Sequence, residues 1–245
     1  LHLSIRRQRQ MCIRDRIVTA LLKRNHQVTI FNRGQHSDPP PVEVRVIRGD
    51  RKQRDDFERK MKTETFDVVI DMISFNAEDA ASAIRAFERR IQHFIQCSTV
   101  MTYGPPFPRN GINVAEVDSL NGSSAYGLGK MAADNLLLKS YRESDFPATI
   151  LKPSYTYGPG VNVHRQVGGD GSWIDRLRKG KHILSAGDGL ILFQFLSSHD
   201  AGEGFAEVAG RTECLGQIYN CLLYTSPSPR DATLSRMTSL GCKKK

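Results

Sequence analysis

The chain has 245 residues, 39% hydrophobic and 25% charged, the proportions of a globular protein long enough to bury a sizeable core. Its formal charge of +9 would point to nucleic acid or an anionic membrane, but residues 1–16 and 221–245 carry +4 each and residues 17–220 only +1. A nucleic-acid partner loses its main support, and no apolar run approaches the roughly 20 residues that span a bilayer. The start LHLSIRRQRQ lacks a secretory apolar stretch, so the expectation is a cytoplasmic protein with a small-molecule partner. The five cysteines are scattered without a CxxC pair, and the seven histidines show no ligand spacing, so no metal is expected.

The two ends differ in composition from the middle. MCIRDR (residues 11–16) and CLLYTSPSPRDATLSRM (residues 221–237) resemble translated adapter read-through, and the segments 1–16 and 221–245 are expected to carry no evolved structure. From Ile17, IVTALLKRNHQVTIFNRG reads as the end of an amphipathic helix, a turn, and a strand over residues 27–31. VEVRVIRGD gives a second strand ending at Asp50, a polar helix runs to about Thr63, and FDVVIDMI is a strongly apolar third strand. Asn76 caps a helix over AEDAASAIRAFERR; IQHFIQCST is the next strand, stopped by Gly104 and the prolines that follow. SSAYGLGKMAADNLLLKSY reads as a long helix and ATILKPSYTYGPG as a strand entering a Pro/Gly turn. Beyond Gly160 the pattern loosens, with WIDRLRKGK as a helix and ILFQFLSS as a strand.

Apolar strands alternating with helices predict an α/β, Rossmann-like, doubly wound parallel sheet over residues 17–160, followed by a small, truncated substrate lobe over 161–220. Ligands in such sheets bind beyond the carboxyl ends of the strands. That rule selects Asn32, Arg33, Asp50, Ile73, Ser74, Ser98, Thr99 and Pro153.

On the long helix Tyr126 and Lys130 stand four residues apart and share a face. An ammonium beside a phenol favours its ionised form, so such a pair can take and return a hydroxyl proton near neutral pH. The spacing alone is common by chance; a strand ending in Ser98 and Thr99 before the helix makes it specific. CSTVMTYG (97–104), YGLGK (126–130) and LKPSYTYGPG (151–160) together resemble the ordered motifs of extended short-chain dehydrogenases/reductases, the NAD-dependent epimerase/dehydratase type. GDGLILFQFLSSHDAG (187–202) is similar to a later segment of that family.

The resemblance implies reversible hydride transfer between NAD or NADP and a sugar nucleotide or related hydroxyl or carbonyl compound, in a protein that forms homodimers when complete. It gives Thr99 the substrate oxygen, Tyr126 the acid/base role, and Lys130 both the tyrosine and the nicotinamide ribose. Ser74, Ser98 and Pro153 fall at cofactor-contacting strand ends, and Asp50 where a carboxylate meets the adenine, unless it serves only its own turn. Asn32 replaces the acidic residue that binds the NAD ribose, and Arg33 beside it favours NADP, an exposed turn arginine being the alternative. The family's first strand and Gly-rich phosphate turn have no counterpart here, which predicts weak cofactor binding by this chain. A rival reading is a non-catalytic nucleotide- or RNA-binding protein on the same fold.

Overall fold

The computed structural model describes residues 2–35, 39–104, 114–159, 172–183 and 195–221. The chain begins with helix α1 (His2–Lys23), whose last turns bury Ile13 and Ile17 in the main core and Val18 in a smaller one. The helix thus runs through residues 2–16, the segment whose sequence shows no hydrophobic period. The tail after Cys221 lies outside the described residues.

A turn at Arg24 and Asn25 leads into β1 (Thr29–Asn32), which pairs in parallel with β2 (Arg45–Arg48). Helix α2 (Arg54–Lys62) follows, with Asp55 and Asp56 in its first turn and Arg59, Lys60 and Lys62 in its last, complementing the helix dipole. A second parallel sheet has the order β3 (Val68–Asp71), β4 (His93–Cys97), β5 (Ala148–Pro153), β8 (Ile218–Cys221). Its two central strands are buried along their whole length, as expected of strands covered on both faces.

Helix α3 (Ala77–Phe87) starts where Asn76 accepts a hydrogen bond from the Asp79 amide, the cap legible in the sequence. Helix α4 (Ala125–Ser144) starts at Ser124, which accepts from the Gly127 amide. One face of the second sheet meets α2, α3 and α4 through Phe57, Ala83, Phe87, Phe94, Ala133 and Leu137. The other is covered by α1 and α6 (Ser198–Val208), which supplies Ala201 and Phe205. Helices on both faces of parallel strands make this the Rossmann-like α/β fold expected. Among the described residues β1 and β3 are not hydrogen-bonded, so the strand and Gly-rich turn that would join the two sheets have no counterpart there.

Two strands are placed differently from the sequence reading. The strand expected over 148–160 is divided: β5 ends at Pro153, and β6 (Tyr155–Tyr157) pairs instead with β7 (Phe195–Ser197). Residues 218–221, assigned by sequence to the second lobe and the first residue of the tail, return as β8 beside β5, with Tyr219 opposite Leu151. Helix α5 (Ser172–Arg178) is the helix expected at WIDRLRKGK.

Candidate active site

The carboxyl ends of β3, β4 and β5 converge with the first two turns of α4. Two glycines of the YGLGK motif make that approach possible. A Cβ on Gly127 would stand 2.7 Å from the Met101 carbonyl oxygen, and one on Gly129 would overlap the Phe75 carbonyl. Side chains there would push α4 off the segments following β3 and β4. The exposed apolar side chains of Ile73, Met101 and Leu128 belong to these same three segments.

Lys130 is fully buried, and its Nζ donates to the Cys97 carbonyl at 2.6 Å and lies 4.9 Å from the Phe75 ring centre. An ammonium carries three N–H groups, of which Cys97 engages one. Burial pushes its pKa down, opposed by Cys97, Asp134, Asp71 and Asp79. Tyr126, one turn earlier, is half-buried with its ring 6.3 Å from that of Phe75, so the phenol and the ammonium share one aromatic neighbour. Thr99 follows β4 in extended backbone and caps a short 3-10 turn over Val100–Thr102, its Oγ1 accepting from the Met101 amide.

The other strand-end residues divide into two groups. Ser74 is buried beyond β3, its Oγ without a hydrogen-bond partner. Pro153 ends β5 opposite Cys221, and Ser98 is buried with its Oγ donating to Asp134 Oδ2 at 2.5 Å. Asn32, Arg33 and Asp50 lie apart from these, on the β1–β2 pair. Asn32 Oδ1 accepts from the Gly34 amide at 2.8 Å and from Arg48, while Asp50 caps its own turn through the Lys52 amide and stands 4.0 Å from the Arg33 guanidinium. The sequence rule of strand ends therefore selects two clusters on separate sheets.

Three functional-looking residues escaped the sequence reading. Asp134 and Lys152 form a buried ion pair at 3.8 Å next to Ser98, and burial raises the Asp134 carboxyl to about 6. Asp134 continues the 126, 130 ladder at the next turn of the helix, a carboxylate on the core-facing side that the four-residue spacing could have flagged. Arg51, also buried, reaches Asp71, the Asp79 carbonyl and Ser82, and stacks 4.0 Å over Phe57, tying the end of β2 to β3 and α3. No group of metal-ligating side chains occurs, and no helix is long and apolar enough to cross a membrane, among the described residues.

Known proteins fall into the same picture. Two curated sequences are similar: 2'-dehydrokanamycin reductase of Streptomyces kanamyceticus, 27% identical over 202 residues, covering 82% of this chain and 56% of that protein; and the chloroplast stem-loop binding protein of 41 kDa b of Arabidopsis thaliana, 26% identical over 213 residues, covering 82% and 53%. The chain spans about half the length of these relatives. Among solved structures, Pal from Bacillus thuringiensis superposes with a TM-score of 0.71 at 20% identity over 87% of this chain and 75% of that one. A dTDP-glucose 4,6-dehydratase from Bacillus anthracis in complex with NAD gives 0.68 at 19% identity over 86% and 71%. UDP-glucuronic acid 4-epimerase from Bacillus cereus, in complex with UDP-glucuronic acid and NAD, gives 0.63 at 20% over 85% and 73%. These likenesses establish the fold. The family description "NAD dependent epimerase/dehydratase" matches residues 15–221, everything between the two basic tails, and the chain belongs to that family.

Proposed function

We propose that this chain forms the catalytic core of an NAD(P)-dependent reductase or epimerase acting on a sugar nucleotide or a related hydroxyl or carbonyl compound. The observation that carries the reading is the single face of α4, which sets Tyr126 one turn before a fully buried Lys130 held 2.6 Å from the strand-end carbonyl two residues before Thr99. Membership of a family described as NAD dependent supports the cofactor class. The structural neighbours bound to NAD, and one also to UDP-glucuronic acid, support the substrate class.

The side chains at the ends of β3 and β4 fit the nicotinamide end of a dinucleotide: Ser74 Oγ is a buried hydroxyl without a protein partner, and Lys130 holds N–H groups beyond the one Cys97 engages. When bound, that group would supply the hydride acceptor and donor. Tyr126 would exchange a proton with the substrate hydroxyl or carbonyl oxygen, and Thr99 would hydrogen-bond that same oxygen and orient it. Lys130, in a site of low dielectric, would favour the phenolate by its charge. Dehydration needs a further acid and base beside Thr99, and Val100 and Met101 offer neither, so reduction or simple epimerisation is the favoured chemistry. At the β1–β2 edge Asn32 and Arg33, with no acidic side chain at Asn32's position, favour NADP.

The test is a set of nucleotide sugars and their keto forms assayed with NADPH and NADH. A reductase consumes reduced cofactor in proportion to product, whereas an epimerase interconverts sugars with no net change in nicotinamide absorbance. Turnover of none of them even at saturating cofactor, with no perturbation of nicotinamide fluorescence, would refute the reading. The stem-loop binding relative favours a second reading, RNA binding on the same fold. Anisotropy with a labelled stem-loop RNA separates the two, because phosphate-driven RNA binding weakens steeply with added salt and does not depend on Tyr126.

A further inference from the structure

We propose that Asp134, balanced by Lys152, is a positioning residue for this reaction: it locks the corner Cys97–Ser98–Thr99 against the Tyr126–Lys130 face of α4, so that the Thr99 hydroxyl is presented in one orientation. The inference rests on Thr99, Tyr126 and Lys130 being the reacting set.

Helix α4 grips the corner at two successive turns. Lys130 donates to the Cys97 carbonyl at 2.6 Å, and Asp134 accepts from the Ser98 hydroxyl at 2.5 Å. A third attachment comes from β5, whose Leu151 carbonyl accepts from the Ser98 amide at 2.7 Å. The next residue of β5 is Lys152, and its ammonium turns back to Asp134 at 3.8 Å, beyond hydrogen-bonding range, while lying 4.6 Å from the Tyr103 ring centre. Lys152 therefore balances the charge of the carboxylate and leaves its oxygen to Ser98.

The arrangement is costly. Asp134 and Lys152 are both without solvent contact, and Asp134 Oδ1 and Lys152 Nζ lack hydrogen-bond partners. Apolar side chains of similar volume would commonly be as stable or more so. What the ionic pair gives that leucine and methionine would not is a directed, charge-assisted hold on Ser98, the residue before Thr99. The contacts of Asp134 are with Ser98 and Lys152, so its action is through the corner. The groups facing it are Lys152 from β5, Ser98 and Cys97 from the end of β4, Tyr103 just beyond it, and Lys130 on its own helix, with Glu116 acting on Lys152. Asp134 is also one of the carboxylates that hold up the Lys130 pKa against burial.

Ser98→Ala and Asp134→Asn test this in the full chain, both being close to the native shapes. In the native protein, three-bond couplings to the Thr99 methyl group should report a single side-chain rotamer; in both variants they should average over more than one. The Lys130 ammonium, followed by its nitrogen resonance, should lose its proton at lower pH in Asp134→Asn. Turnover should fall about tenfold or more, with KM and NADH affinity changed less than about twofold, because misorientation penalises the transition state above all. An unchanged Thr99 rotamer together with unchanged turnover in both variants would overturn the proposal. So would a loss of turnover that only tracks the fraction unfolded in a parallel thermal melt. Were the native chain to turn over none of the sugars, the function would fail while the Thr99 and Lys130 resonances still decide the positioning role.

Discussion

The two clusters of strand-end residues are built in opposite ways. Around β4 and α4, Lys130, Ser98 and Asp134 are buried and each is fixed by a named partner, so the geometry is over-determined. Around β1 and β2, Asn32, Arg33, Arg48 and Asp50 lie near the surface and engage mainly one another and their own turns. On the proposed reading, the chemistry is placed where small shifts cost most, while cofactor selection is left to side chains that a single substitution can retune. The buried cluster should respond to substitution by losing turnover, and the exposed one by changing preference.

The largest effect is expected at Lys130. Lys130→Ala should reduce turnover by about a hundredfold or more and also weaken cofactor affinity, since one ammonium is proposed to serve both phenol and ribose. Steady-state kinetics with a fluorescence titration of NADPH check this, and an unchanged dissociation constant would remove the ribose role. Arg33→Ala should weaken NADP more than NAD by about 1 to 3 kcal/mol, the value of a charge-assisted contact to the 2′-phosphate. Equal effects on both cofactors would make Arg33 a bystander paired only with Asp50.

Acid pH sharpens the contrast within the core itself. Burial lowers His93 to about 4 from 6.5. Its Nδ1 accepts from the Gly210 amide, so the proton sits on Nε2 and faces Thr149 Oγ1 at 2.7 Å, which donates on to the Cys214 carbonyl. The folded state binds fewer protons at His93 than the unfolded chain between about pH 4 and 6.5, so stability falls as pH drops through that window. Asp134 acts with the opposite sign: its folded pKa of about 6 lies above the ordinary 3.8, so its contribution is lost as pH rises from about 4 to 6. Denaturant titrations across pH should show His93→Gln and Asp134→Asn changing the slope in opposite directions, each by at most about 1.4 kcal/mol per pH unit. Slopes that move together would contradict the assignment. The smallest effect is expected at Arg45→Ala, which removes a two-pronged surface pair with Glu64 and should leave the denaturant midpoint nearly unchanged.

Much of this was legible in the residues, for reasons that can be traced. The period-two and period-3.6 patterns marked β1 to β5, α2, α3 and α4, and the Asn76 cap was correctly located. Helix α6 was not seen, because Gly202 and Gly204 argue locally against a helix. It forms through packing: a Cβ on Gly202 would stand 2.7 Å from the Arg16 carbonyl carbon, so the glycine lets α1 and α6 touch. The strand β8 was hidden by its brevity and by its position at the edge of a compositional change. Within the site, Thr99, Tyr126 and Lys130 follow from motif and spacing. Asp134, Lys152 and Arg51 do not, because only the fold shows that these ordinary surface residue types are buried, Asp134 against Lys152 and Arg51 against Asp71.

The central claim is that the Tyr126–Lys130 face of α4 moves a proton, and the most direct test compares Tyr126→Phe with the native chain for turnover and NADPH affinity on the same substrate. Turnover reduced by about a hundredfold or more with an unchanged dissociation constant is the expected result, because the phenol acts only as the proton moves. Near-native turnover in Tyr126→Phe would contradict it.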